Sequence, residues 1–383
     1  MISRTAQARL KKLATTFRSV AVIGPRQSGK TTLCKTVFPK KPYVSLENPD
    51  SREFAANDPR AFLAQYKNGA ILDEVQKVPV LFSYLQQILD ETNKRGLFIL
   101  TGSNNFLLQE NITQTLAGRI GYLQLLPLSL QELSDNKLLK TDYAQHIFSG
   151  GYPEVYARKL NPADWYPSYL STYIERDVRQ LKNIGNLAQL MKLLRLCAGR
   201  TGQILNMTSL ANDCGVDQKT VAAWLTVLQS SYIIYLLRPY HNNFNKRIIK
   251  SPKLYFNDTA VVCSLLGIEK AKQISTHALK GFLFENFIIN EHLKQRFNKG
   301  RQDNLYYWRD KTGNEIDLLM DDAGKLTIME LKSGETISPD FFKGLNYFAS
   351  LNKNTKQYLI YSGQQHQKRT NGVTVLPWKE LLT

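Results

Sequence analysis

The sequence predicts an α/β protein that begins with a parallel sheet covered by helices. Three observations lead to this fold class. Short apolar segments alternate with helical patterns through the first third of the chain, at residues 20–24, 43–47, 69–74, 97–102 and 121–126. A glycine-containing turn joins the first apolar segment to a helix, and two acidic residues end the third. Alternation of this kind is typical of parallel strands joined by helical crossovers.

The turn after the first strand fits a phosphate-binding loop at every required position. The loop consists of Gly24, Pro25, Arg26, Gln27, Ser28, Gly29, Lys30 and Thr31, followed by Thr32 in the helix. Its glycines let backbone N–H groups surround phosphate oxygens, while Lys30 reaches the β- and γ-phosphates and Thr31 offers a hydroxyl to Mg²⁺. The alternative is a glycine-containing turn before an ordinary helix. The strand–loop–helix context favours a nucleoside triphosphate site.

Two acidic residues, Asp73 and Glu74, end the apolar segment that begins at Ala70. Ligand sites in parallel sheets gather at the carboxyl ends of strands, so both side chains are expected beside the loop. There Asp73 would hold Mg²⁺ through its water shell, and Glu74 would polarise the attacking water. The alternative is that these acids cap a helix. The next strand ends in polar residues, including Ser103 and Asn104, that are placed to contact a γ-phosphate.

The composition bounds the number of domains and the class of partner. A chain of 383 residues, of which 43% are hydrophobic and 21% charged, is expected to form about two to four globular domains. Its net charge of +18 favours a polyanion, although a lysine-rich surface kept for solubility is the alternative. Four scattered cysteines, no apolar run of bilayer length and no signal-peptide core predict a cytoplasmic protein without a membrane partner.

Several segments together resemble a family of bacterial and archaeal AAA+-type ATPases that carry a C-terminal domain of unknown function. These segments are GPRQSGKTTL, ILDEVQKVP, LTGSNN, LAGRIGYLQLLPLSLQEL, SGGYPEVY and YIERDV. The resemblance covers nearly the whole chain. It implies that ATP is the nucleotide and that Asp73 and Glu74 form the Walker B pair. An inserted strand between the loop strand and the acidic strand fits the additional-strand (ASCE) class of P-loop NTPases.

The same resemblance implies roles for four further residues. It makes Ser103 or Asn104 the first sensor of the γ-phosphate, and it offers Arg119 or Arg176 as an arginine finger. A lone arginine in a loop is more often a surface ion-pair partner, which is the alternative for both arginines. A homo-oligomer is compatible with this family, but the sequence does not fix the number of subunits.

A helix-turn-helix pattern occupies the middle of the chain. A short helix with Leu210 and Ala211 turns at Gly215, and a second helix begins after Asp217. Two following segments, 232–239 and 246–254, are predicted wing strands. In a DNA-binding interpretation the second helix faces the major groove and basic residues contact phosphates. The proposed contacts are Gln218, Lys219, Thr220, Arg238, Lys246, Arg247, Lys250 and Lys253. Alternatively, the unit only packs domains or subunits together.

The last third contains two alternating strands joined by a turn at Asp322 to Lys325. Antiparallel register places Asp317 opposite Glu330 and Glu315 opposite Lys332, all on one face. An acid followed by Glu-x-Lys on the next strand resembles the restriction-endonuclease-like nucleases. In these, two carboxylates, here Asp317 and Glu330, bind a divalent metal and the lysine positions a water molecule. Glu285 would add a further carboxylate. The alternative is an ordinary cross-strand salt bridge.

Together these observations predict four regions. They are a P-loop AAA+-type ATPase core at 1–127, a helical lid at 128–182, a winged helix-turn-helix at 183–250 and an α/β restriction-endonuclease-like domain at 251–383. The predicted activity is ATP hydrolysis with Mg²⁺, with DNA as the expected partner and a metal-dependent nuclease-like domain that either cuts this DNA or only binds it. Two alternatives remain at this point: a nucleotide-gated regulatory protein with a catalytically silent nuclease fold, and a scaffold for a protein partner.

Overall fold

The structure is a computed structural model that describes residues 2–103, 115–173, 187–240 and 251–382. Five of the residues considered above lie outside the described ranges. They are Asn104, Arg176, Lys246, Arg247 and Lys250. The chain divides into two compact units, one formed by Met1–Leu128 with Lys294–Gln302 and one by Ser129–Leu293 with Asp303–Thr383. The N-terminal segment of the first unit runs to Leu128, whereas the predicted core ends at residue 127.

The first unit contains a five-stranded sheet in which every pairing is parallel, with the strand order β2-β3-β4-β1-β5. The strands are β1 Ser19–Ile23, β2 Tyr43–Ser45, β3 Ile71–Asp73, β4 Phe98–Gly102 and β5 Ile120–Gln124. All five predicted strands are present, with ends shifted by about two residues at most. Strand β4 lies between the loop strand β1 and the acidic strand β3, as predicted.

Helices cover both faces of this sheet. They are α1 Ala6–Thr16, α2 Lys30–Val37, α3 Pro49–Asn57, α4 Pro59–Ala64 and α5 Leu81–Glu91. Strand β1 is buried along its whole length, and its side chains alternate between two apolar cores. Ala21 and Ile23 face one core, whereas Val20 and Val22 face the other. The continuous apolar segment of the sequence thus forms a central parallel strand that is buried on both faces.

The second unit begins with helices and continues with the predicted helix-turn-helix. The helices are α6 Leu130–Asp135, α7 Tyr143–Ser149, α8 Pro153–Ala157, α9 Pro162–Tyr173, α10 Leu187–Gly199, α11 Met207–Cys214, α12 Gln218–Ser230, α13 Thr259–Leu265, α14 Lys280–Asn298 and α15 Lys343–Leu351. Helix α11 ends at Gly215, whose φ of 72° is left-handed. The carboxylate of Asp217 accepts a hydrogen bond from the Thr220 amide and caps α12, as predicted.

One eight-stranded sheet runs through the rest of the second unit, in the order β12-β13-β11-β10-β9-β8-β6-β7. Its strands are β6 Ile234–Pro239, β7 Lys253–Phe256, β8 Leu305–Arg309, β9 Glu315–Asp322, β10 Lys325–Lys332, β11 Thr355–Tyr361, β12 Gln367–Lys368 and β13 Val373–Pro377. The predicted boundary at residue 250 falls between β6 and β7, which pair antiparallel. The strands expected to form a separate wing therefore belong to the C-terminal sheet.

The predicted hairpin of the last third is present in the predicted register. Strands β9 and β10 are antiparallel, with Lys325 opposite Asp322 and Met329 opposite Leu318. Strand β11 then pairs with β10 in parallel, after helix α15. The order of elements is helix α14, three antiparallel strands β8, β9 and β10, helix α15 and strand β11. No helix among the described residues combines the length and apolar character needed to cross a bilayer.

Candidate nucleotide site and C-terminal acidic site

The loop between β1 and α2 is shaped by its two glycines. Gly24 has a φ of 151° and Gly29 a φ of 92°, a region that side-chain-bearing residues rarely adopt. A Cβ atom on Gly24 would lie 2.1 Å from the carbonyl oxygen of Leu125. Neither position can therefore carry a side chain without moving the backbone. The loop that the sequence predicts is formed by this local geometry.

Lys30 is the first residue of α2, and its side chain folds back over the loop. Its ammonium group donates hydrogen bonds to the carbonyl oxygens of Gly24, at 3.0 Å, and Pro25, at 2.7 Å. Lys30 is only 5% exposed, and burial lowers its pKa. Its charge is bonded to neutral carbonyls and not to a carboxylate, which leaves it available for an anion. The lysine therefore fits a phosphate-binding role.

The other loop residues differ in exposure and partners. The Ser28 hydroxyl is buried without a hydrogen-bond partner among the described residues, as expected for a group that awaits a ligand. Arg26 lies 3.4 Å from Glu47 in an ion pair, and Gln27 is exposed. Thr32 is exposed in the first turn of α2. These positions leave Ser28, Lys30 and Thr31 as the side chains best placed to contact phosphate or metal.

An arginine that sequence reasoning missed supports the loop from behind. The guanidinium of Arg4 donates hydrogen bonds of 2.6 Å to the carbonyl oxygens of Ser28 and Leu126. Arg4 is buried and precedes helix α1. It links the loop to the segment after β5. No local pattern marks this residue, because its partners are 24 and 122 positions away.

Asp73 lies at the end of β3, where its carboxylate accepts hydrogen bonds from three hydroxyl groups. Thr31 donates to Oδ2 at 3.0 Å, Tyr43 donates to Oδ2 at 2.7 Å and Thr101 donates to Oδ1. The Thr31 contact brings together the two residues that were predicted as Mg²⁺ ligands. Carboxylate and hydroxyl oxygens are ligands that Mg²⁺ prefers, so Thr31 and Asp73 fit a divalent cation.

Glu74 follows in a left-handed backbone conformation, with a φ of 55°. Its Oε2 atom accepts hydrogen bonds from the Ser103 hydroxyl at 2.9 Å and from the Gln76 amide at 2.5 Å. Glu74 and Ser103, which directly follow two neighbouring strands, are thus in direct contact. The hydrogen bonds are all to Oε2, so Oε1 is the oxygen that remains to orient a water molecule among the described groups.

Arg119 lies at the other edge of the same sheet. It immediately precedes β5, and its carbonyl oxygen accepts a hydrogen bond from Ser19 at the start of β1. Its guanidinium binds both carboxylate oxygens of Asp90, at 2.5 and 2.9 Å. Since the loop follows the opposite end of β1, Arg119 does not reach the nucleotide site of its own chain. Its predicted finger role is therefore restricted to a neighbouring subunit.

In the second unit, Asp317 and Glu330 share one lysine. The ammonium group of Lys332 lies 3.3 Å from Asp317 Oδ2 and 2.5 Å from Glu330 Oε1. Asp317 Oδ2 also accepts the backbone N–H of Leu331, which fixes the carboxylate against β10. Burial, with a smaller contribution from the charge of Asp317, raises the pKa of Glu330 to about 8. The structure thus brings together the predicted acid and the Glu-x-Lys pair.

The prediction that Lys253 contacts DNA phosphates is wrong, because Lys253 is buried. It is 3% exposed, and its ammonium group lies 3.0 Å from Glu285 Oε1 and in close contact with Glu315 Oε1. Burial acts against its charge, but the attraction of Glu285 and the neighbouring groups raises its pKa well above the usual value. The charge pattern of the sequence suggested a surface strand, whereas β7 is fully buried.

The expected pairing of Glu315 with Lys332 is also corrected. Glu315 pairs with Lys253 and with Arg309, whose Nη1 lies 3.1 Å from Glu315 Oε2. Tyr255 donates a hydrogen bond to Glu285, which is therefore committed to two partners from β7. Across the described ranges, no three or more His, Cys, Asp or Glu side chains form a group arranged to hold a metal ion. The predicted metal site at Asp317 and Glu330 stays a two-carboxylate arrangement.

Comparisons with protein families divide the chain into three segments. Residues 16–134 match the AAA domain, and residues 140–272 and 280–381 match two domains of unknown function, DUF8612 and DUF4143. Together with the loop and the parallel sheet, the first match supports similarity of this segment to AAA-type P-loop ATPase domains. The C-terminal matches carry no activity with them.

Relatives are found in bacteria and archaea. An uncharacterized protein of Mycobacterium tuberculosis is 28% identical over 386 residues, which cover 99% of this chain and 84% of the relative. An uncharacterized protein of Methanocaldococcus jannaschii is 24% identical, over 78% of this chain and 71% of the relative. Among solved structures, a Walker-type ATPase of Pyrococcus abyssi aligns with a TM-score of 0.46 and 15% identity, over 70% of this chain and 96% of that one.

Proposed function

We propose that the chain hydrolyses ATP with Mg²⁺ at the loop between β1 and α2. The observation that carries this proposal is the meeting of Thr31, Asp73, Glu74 and Ser103 at one edge of the sheet, beside Lys30. Lys30 binds the phosphates, and Thr31 and Asp73 hold the metal. Mg²⁺ supplies positive charge that offsets the negative charge developing on the transferred phosphoryl group.

Glu74 orients the attacking water in this proposal. The hydrogen bonds from Ser103 and Gln76 fix its Oε2 atom, which holds the carboxylate in place while Oε1 accepts a hydrogen bond from water. Buried, prearranged groups of this kind lower the cost of orienting the water during reaction. Ser103 thereby connects the end of β4 to the catalytic carboxylate.

Purified full-length protein tests this assignment through ATP binding and turnover. Lys30→Ala should abolish ATP binding, because the ammonium group is the principal cation of the loop. Glu74→Gln should keep binding but lower turnover by about 100-fold or more, since general-base groups contribute effects of that size. Lys12→Ala, at an exposed position of α1, is the matched control and should change neither. Unimpaired hydrolysis by both site variants would refute the assignment.

DNA is the proposed partner, and the net charge of +18 supports it. In the helix-turn-helix, Gln218 and Lys219 are exposed at the start of α12, and Arg238 is exposed on β6. These are the positions at which such a unit contacts bases and phosphates. Affinity for duplex DNA should fall steeply as salt rises, and Lys219→Ala should reduce that dependence. Binding that is absent or insensitive to salt favours the protein scaffold instead.

The C-terminal region is proposed to cut DNA with a divalent metal. The helix, three antiparallel strands, helix and parallel strand, with Asp317 on β9 and Glu330 and Lys332 on β10, support this proposal. Glu330 Oε2 is buried and has no hydrogen-bond partner among the described residues, which fits a group that awaits a cation. The metal would be held by Asp317 and Glu330 and would activate water.

Cleavage of duplex and single-stranded DNA with Mg²⁺ or Mn²⁺ tests the nuclease proposal. Cutting should be lost in Asp317→Ala, which removes a metal ligand, and in Lys332→Ala, which removes the cation beside both carboxylates. Lys311→Ala, an exposed lysine in the turn before β9, should cut like the wild type. A wild-type protein that cuts no substrate with either metal favours the regulatory alternative, in which the nuclease fold is silent.

A further inference from the structure

Tyr43 makes a contact with the nucleotide site that its place in the fold does not require. It begins β2, an edge strand of three residues, and its hydroxyl donates a 2.7 Å hydrogen bond to Asp73 Oδ2. The register places Tyr43 opposite Ile71 and Ser45 opposite Asp73, so the phenol reaches along β3 to the acid. The hydroxyl thus lies against the proposed metal ligand.

The environment of Tyr43 argues against a purely packing role. The residue is 37% exposed, and the ammonium group of Lys35 lies 3.4 Å from the centre of its ring. A phenylalanine would fill the same space and keep the same ring contact. What only tyrosine adds is the donor to Asp73.

The hydrogen bonds of Asp73 show what this donor does. Oδ2 accepts from Tyr43 and Thr31, and Oδ1 accepts from Thr101. A threonine hydroxyl that donates its one proton still has lone pairs to offer a metal ion. Tyr43 and Thr101, one on each neighbouring strand, therefore hold the carboxylate from both sides while Thr31 faces the loop. Without Tyr43, the Oδ2 side of the carboxylate would keep only its bond to Thr31.

We propose that Tyr43 is a positioning residue for Mg²⁺ at this site, acting through the orientation of the Asp73 carboxylate. The inference rests on the proposed ATPase function and adds a residue that neither the loop motif nor the acidic strand indicates. Hydrogen-bond partners of metal-ligating carboxylates typically affect metal affinity by about 10- to 100-fold. The effect should therefore appear in the Mg²⁺ requirement and not in the contact between the protein and the nucleotide itself.

The sheet provides a matched control in Tyr122. It lies on β5, the strand at the opposite edge, and is 40% exposed. No hydrogen bond joins its hydroxyl to another residue in the described part of the chain. Tyr43→Phe and Tyr122→Phe thus remove the same atom from edge-strand tyrosines of similar exposure. Only the first removes a contact with Asp73.

The experiment titrates Mg²⁺ into full-length protein with a fluorescent ADP analogue, so no turnover is needed. Tyr43→Phe should raise the Mg²⁺ concentration for half-maximal binding by about tenfold or more. Affinity measured in EDTA should stay within about twofold of wild type. Tyr122→Phe should match the wild type in both measurements.

Other outcomes overturn the inference in distinguishable ways. An unchanged Mg²⁺ requirement in Tyr43→Phe refutes the role of Tyr43 while leaving the ATPase proposal intact. An equal loss of affinity with and without Mg²⁺, accompanied by a lower melting temperature, shows that Tyr43 only supports the fold. A wild-type protein that binds no analogue under any condition refutes the nucleotide site itself, and with it the inference.

Discussion

The nucleotide site and the C-terminal acidic site arrange their carboxylates and lysines differently. Each gathers carboxylates and a lysine near strand ends. Among the residues that the structure describes, Asp73 and Glu74 of the nucleotide site accept hydrogen bonds only from hydroxyl and amide groups, and Lys30 bonds to backbone carbonyls. In the acidic site, Lys332 bonds to Asp317 and Glu330. The first site keeps its charges of opposite sign apart, and the second pairs them.

This difference indicates what each site can accept. Separated charges leave the acids free for a cation and the lysine free for an anion, which is the requirement of a metal–triphosphate complex. The charge of Asp317 is already paired with Lys332, so a metal entering the acidic site must compete with that lysine. Lys253, held by Glu285 and Glu315, is more deeply buried and serves as a permanent internal cation. Pairing of this depth primarily stabilises the fold.

The largest expected effect comes from removing the internal cation. Lys253→Met should destabilise the protein by about 3–5 kcal/mol, because it leaves the buried carboxylate of Glu285 without its cation and removes one of the two cations beside the partly exposed Glu315. Lys332→Met should cost less, since the Lys332 side chain is 28% exposed and water can replace it. Urea unfolding measures both. The double variant Lys253→Met with Glu285→Gln should recover part of the loss. Equal losses of stability in the two single lysine variants would contradict the view that Lys253 is the more important internal cation.

A smaller, pH-dependent effect is expected from Glu330. Its pKa in the folded protein is raised to about 8 by burial and by the nearby Asp317, above the value of 4.5 expected in the unfolded chain. A raised pKa contributes stability that is fully present below pH 4.5 and is lost as the pH rises through 8. Glu330→Gln removes this dependence. As the pH rises from 5 to 8, the melting temperature of Glu330→Gln should therefore increase relative to that of the wild type. A difference in melting temperature that stays constant over this range would contradict the raised pKa of Glu330.

The smallest effect is expected at Arg119. Its ion pair with Asp90 is solvent-exposed, and such pairs contribute little to stability. Arg119→Ala should leave both the melting temperature and the affinity of a single chain for ATP unchanged. Loss of turnover at unchanged affinity, dependent on protein concentration, would instead show that Arg119 acts on a neighbouring subunit.

Features encoded by short-range patterns were predictable from the sequence. Apolar runs predicted all five parallel strands, the glycine spacing predicted the loop, and alternation predicted the register of β9 and β10. The cap at Asp217 and the turn at Gly215 were likewise readable, because each acts within about one helical turn. These features depend on residues close together in the chain, so they can be predicted from the sequence alone.

Features that depend on long-range packing were not predictable. Arg4 and Tyr43 act on groups brought near only by the sheet, and neither belongs to a motif. Lys253 was misjudged because a basic segment after a helix-turn-helix suggests a surface wing, whereas β7 is covered on both sides by the second unit. The incorrect expectation that Glu315 pairs with Lys332 has the same cause. Once β7 lies in the C-terminal sheet, Glu315 pairs with Lys253 and Arg309.

Calorimetric titration with a non-hydrolysable ATP analogue tests the central claim most directly. The wild-type protein should bind about one equivalent per chain in the presence of Mg²⁺. Lys30→Ala should show no saturable heat, while Lys332→Met should bind like the wild type, because its lysine belongs to the other site. An absence of binding by the wild type, or equal binding by Lys30→Ala, would contradict the account of the loop as a nucleotide site.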